Sequence, residues 1–252
     1  MNETSRYTSR TLAAARFVAQ QGLMKRLVWS VTDVTVHHAD RLDGARPPMV
    51  VVANHTSHLD TPVIMGALPR RLSRYLAAGA AQDYFFKNKA KAVGTSLFFN
   101  AFPVDRKRTG KRRGMSGHLL EAGVPLLIFP EGTRSKTKAM RRFKPGVARL
   151  SMSRKVPVLP IALIGCGAAM PKDSSWPVKG RPPIHVDFGT PMLPLPDETA
   201  GAFTQRLEDT VRQMHEETAK AVGMPTFAEL EAAAALEETT PDTGETSRTK
   251  ED

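Results

Sequence analysis

The stretch Pro48-Met49-Val50-Val51-Val52-Ala53-Asn54-His55-Thr56-Ser57-His58-Leu59-Asp60-Thr61-Pro62 decides the fold. Three successive valines put apolar side chains on both alternations of an extended chain, as a sheet covered on both faces requires. Leu126-Leu127-Ile128-Phe129 has the same character. Working outward, short apolar runs at 48–54, 75–79, 124–129, 156–164 and 184–189 read as strands. Helical spacing separates them at 61–68, 111–122 and 147–155, and a last helix is expected over 199–222. There Phe203, Leu207, Val211, Met214, Thr218 and Val222 share one face. This alternation predicts an α/β domain, a mixed and largely buried β-sheet flanked by helices, with an N-terminal amphipathic helical segment before it.

Polar residues gather where the apolar runs end. His55 and Asp60 are five residues apart, which on a straight helix separates them by about 140°. They meet only if the chain turns between them, and Asp60-Thr61-Pro62 allows a turn because proline is tolerated in a first helical turn. A carboxylate on one imidazole nitrogen would fix the tautomer and leave the other nitrogen to accept a proton. Two other readings stay open at this point: a turn histidine with a helix N-cap, or a metal site using His58 as well. Phe129-Pro130-Glu131-Gly132-Thr133-Arg134-Ser135 leaves the next strand, and residues beyond strand carboxyl ends are where open α/β sheets bind ligands. Gly132 lets backbone approach a ligand, Arg134 can fork onto a phosphate, and Glu131 can hold that arginine or a substrate hydroxyl. Phe102-Pro103-Val104-Asp105-Arg106 and Phe143-Lys144-Pro145-Gly146 add two further cations, Arg106 and Lys144.

Charge narrows the partners. The net charge is +11, but residues 228–252 carry −6, so residues 1–227 carry +17. A body this basic suits nucleic acid, anionic headgroups or phosphorylated substrates. Nucleic acid is disfavoured, because aromatics make up 6% of the chain and no nucleic-acid module signature is present. The single cysteine, Cys166, can form no internal disulfide and reads as a small buried residue. No run is apolar enough to span a bilayer, and Arg16, Lys25 and Arg26 interrupt any signal-like stretch, so a cytoplasmic location is expected. Leu23, Met24, Leu27, Val28, Val31 and Val34 recur at helical spacing near those cations. Such a segment either lies in a membrane interface or packs on the protein's own core. The expected organisation is a helical segment over 1–46, a catalytic domain over 47–225 and an acidic disordered tail over 226–252.

Taken in order, Asn54-His55-Thr56-Ser57-His58-Leu59-Asp60, Phe102-Pro103-Val104-Asp105-Arg106, Phe129-Pro130-Glu131-Gly132-Thr133-Arg134-Ser135 and Val156-Pro157-Val158-Leu159-Pro160-Ile161 resemble the glycerolipid acyltransferase family. Its 1-acylglycerol-3-phosphate acyltransferases are the nearest pattern, with the likeness running from about 47 to 195. The resemblance implies an O-acyltransferase that moves a fatty acyl group from acyl-CoA or acyl carrier protein onto lysophosphatidate, giving phosphatidate. It implies His55 with Asp60 as the catalytic pair, and Ser57, Arg106, Glu131, Gly132, Thr133, Arg134 and Lys144 at the substrate. No metal and no cofactor beyond the thioester co-substrate is implied. Ser57 is not expected as a nucleophile, since no Gly-x-Ser-x-Gly turn surrounds it. The partners implied are the lysophospholipid acceptor and the acyl donor; the basic charge adds anionic membrane lipids, with the protein expected to be held peripherally on the cytoplasmic face of the membrane.

Overall fold

A computed structural model of the chain describes residues 4–81, 98–104, 114–135 and 137–239. Seven strands form one mixed sheet: β1 (Asp33–His37), β2 (Val50–Ala53), β3 (Ala77–Ala81), β4 (Phe102–Val104), β5 (Leu126–Ile128), β6 (Val158–Ile164) and β7 (Pro183–Phe188). Their order is β1-β7-β6-β2-β5-β3-β4. Strands β2 to β6 run parallel, β7 runs antiparallel to β6, and β1 runs parallel to β7.

The valines of β2 lie at the centre, each pairing with β5 on one side and β6 on the other. Val50 and Val52 pack with Leu119, Val147, Phe203, Leu207 and Val211 on one face. Val51 and Ala53 pack with Val28, Val63, Ile64 and Met65 on the opposite face. The two apolar alternations of one short strand thus belong to two separate cores, which is why neither face of β2 carries a polar residue. Helices α6 (Met115–Glu121), α7 (Gly146–Arg154) and α9 (Ala200–Ala221) cover the first face, and α4 (Asp60–Ala67) with α3 (Lys25–Val31) covers the second. The face expected for the long helix is correct from Phe203 to Thr218, all of whose members are buried.

Three expectations change. Val34 belongs to β1 rather than to a helix, so the sheet begins before residue 47. Asp33-Val34-Thr35-Val36-His37 alternates as an edge strand does, but Val34 also continues the helical spacing from Leu23, and the pairing partner, β7, lies far along the chain. The N-terminal stripe divides. In the run α2 (Arg10–Val18), a π-helical turn (Ala19–Met24) and α3, Met24 and Val28 pack on the core while Leu23 and Leu27 face outward with Leu12 and Val18. Arg16 is buried and donates to the carbonyls of Arg6 and Tyr7. The tail expected to be disordered from 226 instead starts as a helix, α10 (Phe227–Thr239). Phe227 is buried and its ring stacks on His215, and Thr226 and Glu229 form a reciprocal capping box. Thr226-Phe227-Ala228-Glu229 before an alanine-rich run is a start signal readable in sequence. Residues 240–252 lie outside the described residues.

Candidate active site

Strand β2 is followed by Asn54, whose buried amide donates to Leu163 O and accepts from Leu163 N, both at 2.8 Å. This double bond to β6 takes over where the ladder stops and sets the direction in which the chain leaves the sheet. His55 follows, held from both sides by backbone: its N–H donates to Glu131 Oε1 at 2.6 Å, and its carbonyl accepts from Ser135 N at 2.8 Å. The imidazole stacks on Phe129, with ring centroids 4.0 Å apart.

The chain then turns into α4, whose first residue is Asp60. Asp60 Oδ2 lies 2.7 Å from His55 Nδ1 and accepts the amides of Thr56 at 2.8 Å and Ser57 at 2.9 Å. The Asp60 side chain is 0% exposed and that of His55 19%. A buried carboxylate with three donors on one oxygen requires a proton on Nδ1, which leaves Nε2 as the basic nitrogen. Asp60 Oδ1 has no ordinary hydrogen-bond partner among the described residues; the buried Cys166 thiol lies beside it. Burial first, and then the Asp60 charge, pushes that thiol far up, as suits a small buried residue.

Two residues expected at the substrate turn inward. Ser57 is buried, its hydroxyl donating to Met170 O at 2.8 Å and accepting from Leu59 N at 3.2 Å. Glu131 is also buried. Beside His55 N it accepts Arg141 N on Oε2 at 3.1 Å. Burial pushes its carboxyl up to about 8, against the pull of those two backbone donors. The polar atoms of both residues are thus engaged by backbone within the protein.

Gly132 and Lys144 come together. Gly132 has φ +78, and a Cβ there would stand 2.7 Å from Lys144 Nζ, so the ammonium lies over a gap only glycine leaves. Lys144 N donates to Pro130 O at 3.0 Å, tying the two segments. Arg134 Nη1 donates to Lys172 O at 3.1 Å. Partial burial, then the charges of Arg134 and His55, hold the proton affinity of His58 below its ordinary value, so the guanidinium acts on the His58 imidazole. Thr133 is half-buried in the same turn. Arg106 and Asp105 lie outside the described residues, as do Lys87, Lys89, Lys91 and the cations of 107–113. Among the described residues no group of three or more His, Cys, Asp or Glu is placed to hold a metal ion.

The reading from sequence missed Asn54 and Phe129 as supports. A lone amide at the end of an all-apolar strand is the signal that could have found Asn54, because a buried amide must be paired across the sheet.

A family model described as Acyltransferase matches residues 33–164, from β1 through β6. A 1-acyl-sn-glycerol-3-phosphate acyltransferase of Chlamydomonas reinhardtii is 32% identical over 188 residues, covering 71% of this chain and 53% of that protein. The human 1-acyl-sn-glycerol-3-phosphate acyltransferase alpha is 34% identical over 125 residues, or 46% of this chain and 40% of that one. The chain thus spans about half the length of the curated relatives it matches. Among solved structures, a 1-acyl-sn-glycerophosphate (LPA) acyltransferase from Thermotoga maritima shares the fold with a TM-score of 0.63. Its sequence identity is 22%, with 82% of this chain and 83% of that one covered.

Proposed function

The chain belongs to the acyltransferase family, and we propose that it transfers a fatty acyl group from an acyl thioester to the free hydroxyl of 1-acylglycerol-3-phosphate, giving phosphatidate. The observation that carries this reading is the 2.7 Å contact between His55 Nδ1 and the fully buried Asp60. His55 Nε2 removes the acceptor hydroxyl's proton as its oxygen attacks the thioester carbonyl. The new C–O bond forms a tetrahedral centre whose collapse breaks the C–S bond. The thiolate leaves and takes the proton back from Nε2, so the base is regenerated in one cycle. Asp60 stabilises the transient imidazolium, and general-base assistance of this kind contributes roughly 10²–10⁴-fold. A thiol is a good leaving group, so no acyl-enzyme intermediate is needed.

Arg134 and Lys144 are proposed to hold the acceptor's phosphate, with Arg106 as a third cation. Acyl-CoA and acyl carrier protein are both admissible donors. Relatives named for 1-acyl-sn-glycerol-3-phosphate support this acceptor over glycerol-3-phosphate or another lysolipid. The protein is proposed to work peripherally, on the cytoplasmic face of an anionic membrane. Among the described residues no helix is long and apolar enough to cross one. The test is to incubate purified protein with a panel of lysolipids and both donor types and identify products by mass spectrometry. Phosphatidate should form fastest, and His55→Ala should abolish it while the far-UV spectrum stays native. Near-normal turnover by a folded His55→Ala protein would remove the proposed base.

A further inference from the structure

The connection between β6 and β7 leaves and re-enters the sheet at the catalytic end. Ile161 stands beside Ala53 in parallel register, and Ile164 opposes His185 in antiparallel register. The connection is also tied down on both sides. Met170 O accepts from Ser57 and Lys172 O from Arg134 on the side of the site. On the far side Arg181 donates to Trp29 O at 3.3 Å, and Pro182 O accepts from Asp33 N at 3.0 Å. Inside it, the Ser174 hydroxyl donates to Trp176 O at 2.6 Å and accepts from Trp176 N at 3.2 Å, while Val178 N donates to Ala169 O at 2.9 Å. Pro171, Pro177, Pro182 and Pro183 stiffen the remainder.

This braced rim nevertheless points its apolar residues outward: Trp176 is 56% exposed and Val178 45%. Lys172, Lys179 and Arg181 flank them against Asp173 alone. An indole combines an apolar body with a polar N–H and favours the headgroup level of a bilayer, and cations beside it meet anionic headgroups. We infer that the 171–181 rim is an interfacial anchor, inserting Trp176 and Val178 into an anionic leaflet and seating the His55 mouth against it. It lies apart in sequence from the outward-facing leucines of α2 and α3, and it borders the site directly. The inference rests on the acyltransferase reading only for what is reached at that surface; the docking is measured without turnover.

Trp29 and Trp176 are the only tryptophans, so full-length Trp29→Phe leaves one reporter. Mixed with vesicles of phosphatidylglycerol and phosphatidylcholine, its emission should shift to the blue and be quenched by lipids brominated near the headgroup. Because Trp29 packs against Gly66, partitioning is measured in parallel for Trp176→Ala and Val178→Asp in the otherwise native chain. Each should weaken vesicle binding by about tenfold, the scale of one interfacial side chain. Transfer to a vesicle-embedded acceptor should fall in step, with the rate on a monomeric short-chain acceptor unchanged. Unshifted emission on bound vesicles, native partitioning of both variants, or self-association without vesicle binding would overturn the anchor. Failure of acyl transfer with partitioning as expected would count against the proposed function alone.

Discussion

At Asp60 one oxygen gathers three donors, and this makes the residue a hinge for the turn as well as a partner for the proposed base. That the pair could meet is legible from a five-residue spacing and a proline-marked turn, because the contact is local. The inward turn of Ser57 and Glu131 is not, since each is fixed in part by a partner far along the chain, 113 and 76 residues away. Glu131 gives a pH prediction. Its carboxyl is raised by burial from 4.5 to about 8, so the native state holds that proton more tightly than the unfolded chain. The group's stabilising contribution is full below about 4.5 and is lost as pH rises through about 8. Glu131→Gln removes the dependence, so urea unfolding should show the variant gaining on the wild type between pH 5 and pH 8. A constant difference would count against it. Arg134 gives a kinetic one. A lysine does not reproduce a two-pronged guanidinium, so Arg134→Lys should raise the apparent KM for the phosphorylated acceptor more than that for the acyl donor. Equal changes in both would move Arg134 away from the phosphate.

Elements differ in how openly the chain declares them. Strand β2, with apolar residues on both faces, and α9, with one long stripe, are readable because burial selects their composition. β1 and α10 are harder: one is a short edge strand of mixed polarity, and the other rests on a single buried aromatic and a capping box. The N-terminal helices show the limit of periodicity, which finds a stripe without saying what covers it. Here Met24 and Val28 are covered by the core while Leu23 and Leu27 are not. Changing Met24 and Val28 to alanine should cost stability, about 2–5 kcal/mol for the methionine alone by ordinary core truncation. Changing Leu23 and Leu27 to serine should leave the denaturation midpoint nearly unmoved and reduce recovery with floated vesicles. Loss of stability in the second pair would place those leucines in the core instead.

Over the whole molecule, positive charge gathers in one stretch of chain. Residues 132–155 carry nine cations and no acid, and the stretch begins beside the proposed base, where Ser135 N donates to His55 O. Basic residues near an anionic leaflet contribute roughly 1 kcal/mol each, and salt screens them, whereas burial of apolar surface is not screened. Flotation should therefore favour anionic over neutral vesicles, and raising the salt to 1 M should release only part of the protein. Full release would deny the apolar component, and equal recovery on neutral vesicles the ionic one. The backbone clasp on His55 reaches further than catalysis. Loop amides ordinarily trade their hydrogens for deuterium quickly, because nothing shields them from solvent. In this protein the amides of His55, Thr56, Ser57 and Ser135 are each capped by a carboxyl or carbonyl oxygen. In heavy water these loops should label as slowly as the strands they follow, and a peptide map showing them among the first to exchange would mean that the clasp opens on its own.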